Sequence, residues 1–265
     1  MPISDHKDEF IEVNGVRLCY QQAGSNIADE HPMVFVHGLG FSKENMNPLF
    51  DYYKDLQQVM SYDVRGHGRS DKPSTWTLDD DSDDMHGIIE ALGLEKPVAV
   101  GFSMGSYIVL RTAERYPDLF SKVVLIGTKG NGSSSIQAIA SGGQKSPDGK
   151  SAVQRSVFAP QNTLEQIAEF SQSIASPVRL THEQRDAIYQ SLEGFDNLKD
   201  AAKVSAPVLC LTGQHDGVNP PPQGKTVAAA LPHGTFFEVP HAGHITFFEN
   251  FDYTVERIDE LIERL

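Results

Sequence analysis

The chain has 265 residues, 39% hydrophobic and 22% charged, which suits one large α/β domain or two small ones with a sizeable core and is too apolar for a disordered segment. The 36 Asp and Glu against 22 Lys and Arg leave a formal charge of −14. That balance argues against a nucleic-acid binder and against a surface drawn to anionic lipids, because both need dense positive charge.

In chain order, the acidic, polar start from Met1 to Glu9 lacks the pattern of a secretory signal. Alternation over 10–21 around Asn14-Gly15 predicts an N-terminal antiparallel hairpin. Short, continuous apolar runs at 33–36, 59–62, 98–100, 123–126, 208–211 and 236–239 predict strands buried on both faces of a parallel sheet. They fall far short of the ~20 residues of a membrane helix. Helical patterns cover about 77–92, about 104–115 and the chain from His244 onward. The last carries Phe247, Phe248, Phe251, Val255, Ile258, Leu261 and Ile262 on one stripe, expected to pack on the sheet.

This alternation of strand and helix predicts an α/β fold with a mostly parallel, doubly wound sheet. Residues 130–203 break the rhythm. They carry Gly132-Ser133-Ser134-Ser135 and Ser141-Gly142-Gly143, then helix-like stretches at 151–158, 163–174 and 181–192. The expected organisation is a core of 1–129 and 204–265 with a short helical cap inserted at 130–203. Cys19 and Cys210 each sit in a strand-like segment. Two buried thiols fit a reducing, cytoplasmic setting better than a disulfide framework.

The sharpest chemical signal is Gly101-Phe102-Ser103-Met104-Gly105, between the strand at 98–100 and the helix that follows. A sharp strand-to-helix turn needs small residues on both sides of Ser103, and it presents the hydroxyl at the top of the sheet. The Met104 N–H then sits at a helix N-terminus, where unpaired donors favour negative charge. A serine hydroxyl is a weak nucleophile without a base, so a His and an orienting acid are expected elsewhere. Asp216 and His244 each follow a predicted strand, where an open α/β sheet forms its ligand crevice.

The order Ser103, Asp216, His244 resembles that of the α/β-hydrolase fold superfamily, in its serine-nucleophile branch. Also similar are His37-Gly38-Leu39-Gly40, Asp63-Val64-Arg65-Gly66-His67-Gly68-Arg69-Ser70 and Gly243-His244, so the resemblance spans nearly the whole chain. It implies acyl transfer with Ser103 as nucleophile, His244 as base and Asp216 as orienting acid. The oxyanion is expected at the Leu39 and Met104 backbone N–H groups, with Gly40 or Phe41 as register alternatives to Leu39. No metal or organic cofactor is required. Size and insertion resemble small esterases, enol-lactonases and cofactor-free haloperoxidases or perhydrolases. Carbon–carbon bond hydrolases and proline iminopeptidases share the layout, and a receptor-like binding module is the weakest reading. The expected partner is a small-molecule substrate; self-association stays open.

Several residues compete for attention. His241 is a second candidate base, and a metal held by His215, Asp216, His241 and His244 is conceivable. The run Asp79-Asp80-Asp81-Ser82-Asp83-Asp84 invites a calcium loop, but Asp84 stands where the turn needs Gly, so an acidic first helical turn is expected. His37 and His67 are expected to stabilise turns. Within the insertion, Phe158, Phe170, Tyr189 and Phe195 are candidates for an apolar pocket, and Arg155, Arg179 or Arg185 for a substrate carboxylate.

Overall fold

The structure, a computed structural model, describes residues 6–25, 30–140 and 148–263. Strands β1 (Glu9–Val13) and β2 (Val16–Ala23) form the expected antiparallel hairpin, with φ of 49° at Asn14 and 75° at Gly15 in the turn. Next come β3 (Met33–Val36), a 3₁₀ turn at Lys43–Met46, α1 (Asn47–Tyr53) and β4 (Val59–Tyr62). The chain continues through α2 (Leu78–Ala91), β5 (Val98–Phe102), α3 (Met104–Arg115) and β6 (Lys122–Ile126). A two-residue strand β7 (Asn131–Gly132) then precedes α4 (Ser135–Ala140), α5 (Ala152–Val157), α6 (Leu164–Ser173) and α7 (His182–Ser191). Strand β8 (Phe195–Asp196) pairs back onto β7. The chain ends with β9 (Val208–Gly213), α8 (Pro221–Ala230), β10 (Gly234–Val239), α9 (Thr246–Glu249) and α10 (Phe251–Leu261). Ser141-Gly142-Gly143 lies outside the described residues.

Eight strands form one sheet in the order β1-β2-β4-β3-β5-β6-β9-β10, antiparallel only at β1–β2 and β2–β4. Apolar side chains are packed on both faces. Met85, Ile88, Ile108 and Val227 from α2, α3 and α8 cover one face; Leu49, Phe50, Phe247 and Ile258 from α1, α9 and α10 cover the other. This is the doubly wound arrangement the alternation predicted, and it puts the C-terminal ends of β3, β5, β6, β9 and β10 along one rim.

Two expectations change. The run at 236–239 is a strand at the sheet edge rather than one buried on both faces, with Phe236 and Phe237 half-buried and Glu238 exposed. The last helix is broken at Asn250 (φ −145°, ψ 71°), whose side chain accepts from the Tyr253 N–H and starts α10 afresh. The acidic run supplies the first turn of α2, where Thr77 and Asp80 form a reciprocal capping box. Its carboxylates meet arginines: Asp79 with Arg111 and Arg115, Asp83 with Arg115, and Asp84 with Arg65. No helix of the described residues is long and apolar enough to cross a membrane.

Two tests follow from this packing. At Gly105 a Cβ would overlap the Val36 carbonyl oxygen, and at Gly101 it would overlap that of Gly105. Gly105→Ala should therefore cost about 3 kcal/mol or more, read as a lowered denaturation midpoint. Burial pushes the Glu114 carboxyl from its ordinary 4.5 up to about 8, with Arg111 opposing. The fold favours its protonated form, so stability should fall as pH rises from about 4.5 to about 8 and level off above. Denaturation of Glu114→Gln at pH 5 and pH 8 should show a smaller difference than the parent protein.

Candidate active site

Ser103 occupies the turn between β5 and α3 with φ 51° and ψ −115°, a left-handed backbone that a non-glycine residue holds at a cost of about 1–3 kcal/mol. Its N–H donates to the Ile126 carbonyl of β6 at 2.8 Å. The glycines on either side let α3 lie against the strand, so the turn is held by packing that only glycine permits. Ser103 is 9% exposed.

Asp216 and His244 reach the same point from the loops after β9 and β10. Asp216 Oδ1 accepts from the Val218 and Asn219 N–H groups at 2.8 and 2.9 Å. Its Oδ2 lies 2.7 Å from His244 Nδ1, and His244 Nε2 lies 2.9 Å from Ser103 Oγ. A carboxylate accepts, so Nδ1 carries the ring proton and Nε2 turns its lone pair to the serine hydroxyl. The ring also meets Phe102, centroid to centroid at 5.0 Å. His241 is exposed, with φ 58°, and His215 is exposed; neither joins this chain.

Ser156 and Val157, at the end of α5, bond to both loops. The His244 N–H donates to Val157 O at 2.6 Å, and the Gly217 N–H donates to Ser156 O at 2.8 Å. The Glu249 carboxylate adds a clasp: Oε2 accepts from Gly243 N–H at 3.0 Å, Ala159 N–H at 2.9 Å and Asn162 Nδ2 at 2.8 Å. Burial raises the Glu249 pKa, and these donors oppose the rise.

The turn at His37-Gly38-Leu39 lies beside Ser103. A Cβ at Gly38 would press on the Phe102 ring, and one at Gly105 would overlap Val36 O and crowd His37 O. Among the described residues no acceptor takes the Leu39 or Met104 N–H. The neighbouring histidines have structural partners. His37 Nδ1 lies 2.8 Å from Gly38 O while Nε2 accepts from the Val64 N–H at 3.0 Å. His67 packs edge-on against His37, and burial pushes it down to about 3. Buried Asp63 accepts from the Lys43 and Arg69 N–H groups, both at 2.7 Å, tying the loop after β4 to the loop after β3.

Sequence reasoning missed Tyr107, Asn219 and Glu249. Tyr107 is one helical turn beyond Ser103, sits against it, and accepts from Asn219 Nδ2 at 2.6 Å. The same amide donates to Gly127 O at 2.7 Å. The signals were present: a four-residue step along α3 puts Tyr107 on the serine's face, and Asn219 stands three residues after Asp216. Glu249 had no such local signal. Of the aromatics expected to line a pocket, Phe195 stacks on Tyr107 at 4.7 Å. Phe158 and Phe170 pack edge-on at 5.9 Å. Tyr189 instead faces a shallow groove with Asp186, Gln190 and Glu193. Arg155, Arg179 and Arg185 are exposed. A cavity of about 550 Å³ beside α6 is walled by Phe170, Phe247, Phe248 and Glu249, and its lining does not include Ser103, Asp216 or His244.

A family model described as alpha/beta hydrolase fold matches residues 31–161. The chain is similar to proline iminopeptidase PfmaB of Pestalotiopsis fici, 25% identical over 97% of this chain and 99% of that protein. It is 27% identical to BpoC of Mycobacterium tuberculosis, a protein named for non-heme bromoperoxidase activity, over 88% of this chain and 93% of the relative. Among solved structures, the enol-lactonase from Burkholderia xenovorans superposes with a TM-score of 0.82 at 22% identity, covering 96% of this chain and 100% of that one. With the sheet order and the turn at Ser103, these matches identify the chain as a hydrolase belonging to the α/β-hydrolase fold superfamily.

Proposed function

We propose that this protein is a serine hydrolase of small carboxylic esters or lactones, working through an acyl-enzyme on Ser103. The observation that carries the reading is the unbroken hydrogen-bonded line Ser103–His244–Asp216, with links of 2.9 and 2.7 Å. His244 Nε2 takes the Ser103 proton as Oγ attacks the substrate carbonyl carbon. Asp216 fixes the ring tautomer and stabilises the imidazolium. The Leu39 and Met104 N–H groups hold the oxyanion, helped at Met104 by the α3 N-terminus. Collapse expels the alcohol (or the ring oxygen of a lactone), which leaves with the proton from His244. Water, deprotonated by the same imidazole, then adds to the acyl carbon and releases the acid and free Ser103. Every step is carried by residues of the chain.

Residues 130–203 serve as the covering insertion in this reading, supported by the bonds from Ser156 and Val157 to the loops that bear Asp216 and His244. Glu249 serves as a positioning residue for His244, through Gly243. A cytoplasmic setting agrees with Cys19 and Cys210, buried, unpaired and each pushed up to about 12 by burial.

A fluorophosphonate probe should label the parent protein and fail to label Ser103→Ala; equal labelling of both would move the nucleophile elsewhere. On p-nitrophenyl esters, His244→Ala should lose several orders of magnitude in kcat and Asp216→Asn about 10⁴, as in other triads of this kind. Removing the carboxylate in Glu249→Ala leaves two backbone donors unmatched. It should cost about 1–3 kcal/mol in stability and lower kcat, measured by denaturation and steady-state kinetics.

A further inference from the structure

Lys129 lies in the segment just after β6, three residues beyond Ile126, and is 8% exposed. Other cations buried to a similar degree have carboxylate partners: Lys43 has Asp8 and Glu44, Arg65 has Asp84, and Lys150 has Asp148. Among the described residues no carboxylate lies within ion-pair distance of Lys129. Its ammonium donates to Ser133 O and, at 2.9 Å, to Ser135 Oγ. The Phe195 ring stands 5.8 Å from Nζ. Three N–H donors and two hydrogen-bonded acceptors leave one donor for something else. An ammonium out of water without a counter-charge is costly, and neutral acceptors with one ring replace only part of its hydration. Burial accordingly lowers the Lys129 pKa, with no charged neighbour raising it.

The ammonium is also wired to the candidate active site. Ser135 Oγ is 3.0 Å from Asn219 Oδ1, and the Asn219 amide donates to the Tyr107 hydroxyl, which sits against Ser103. Phe195 touches both ends of this route, stacked on Tyr107 and near Lys129. We propose that Lys129 is the specificity-determining cation of the site, and that the substrate is an ester or lactone of a dicarboxylic acid whose free carboxylate pairs with it. This deepens the hydrolase reading above and rests on it. The protein's charge of −14 repels an anion at long range. A local, desolvated cation is what gives such a substrate a favourable place to stop.

The test compares selectivity rather than activity. The ratio of kcat/KM for mono-p-nitrophenyl glutarate to that for p-nitrophenyl butyrate is measured in the parent, Lys129→Met and Lys129→Gln, the last keeping hydrogen bonds without the charge. The ratio should fall at least tenfold in both variants; an unchanged ratio, with both substrates slowed in parallel, gives Lys129 a structural role and overturns the proposal. A second measurement does not depend on turnover. In the Ser103→Ala background, calorimetric binding of monomethyl glutarate should weaken at least tenfold when Lys129→Gln is added, and equal affinity overturns the proposal. Phosphonate labelling of Ser103 reports separately on the hydrolase reading, so the two failures are distinguishable.

Discussion

The bond between Asp216 Oδ2 and His244 Nδ1 joins the side chains of two loops whose backbones already meet where the His215 N–H donates to the Ala242 carbonyl. It selects one imidazole tautomer, and that choice turns Nε2 toward Ser103. The Asp216 end is anchored by its own loop, since the second carboxylate oxygen accepts two backbone N–H groups. The serine end is anchored by sterics: the left-handed turn at Ser103 persists because β5, β6 and α3 leave the chain no other path. Two anchored ends therefore fix the orientation of a buried imidazole that also packs on Phe102.

The backbone of His244 is held from the side of α5. Val157, Ala159 and Asn162 all bond to the 243–249 stretch directly or through Glu249. A movement of α5 would be felt at His244 without passing through the sheet. The segment that carries α5 is thus tied directly to the loop that carries His244, with the Glu249 carboxylate among the ties. Burial raises its pKa, and the donors from Ala159, Gly243 and Asn162 oppose the rise.

Charge is handled locally throughout. The acidic run of α2 is matched by Arg65, Arg111 and Arg115, so a stretch that reads as a ligand loop is a capped helix docked on its neighbour. Lys43 bridges Asp8 and Glu44 beneath the loop after β3. Against that background, the ammonium of Lys129 stands out because the other buried cations among the described residues have carboxylate partners.

The strand runs, the hairpin at Asn14-Gly15 and the helices at α2 and α3 were legible because they follow from local pattern: period, turn residues and caps. Ser103 was legible because close approach of helix and strand demands glycine at 101 and 105, a constraint written within five residues. Asp216 and His244 were legible as loop residues after strands, though spacing left His241 open. The edge placement of β10 was not legible, since a run of apolar residues does not say which strand ends the sheet. The break at Asn250 was also hidden by the uninterrupted apolar stripe across it. What the amino-acid sequence determined by itself was the set of elements and the sharp turn at Ser103, because short-range sterics and periodicity decide those. Tertiary structure alone decided that His244 rather than His241 meets Asp216, that Glu249 clasps the loop, and that Lys129 lies next to Phe195 and Ser135. Those facts depend on contacts between segments far apart in the chain, and no local pattern encodes their distances.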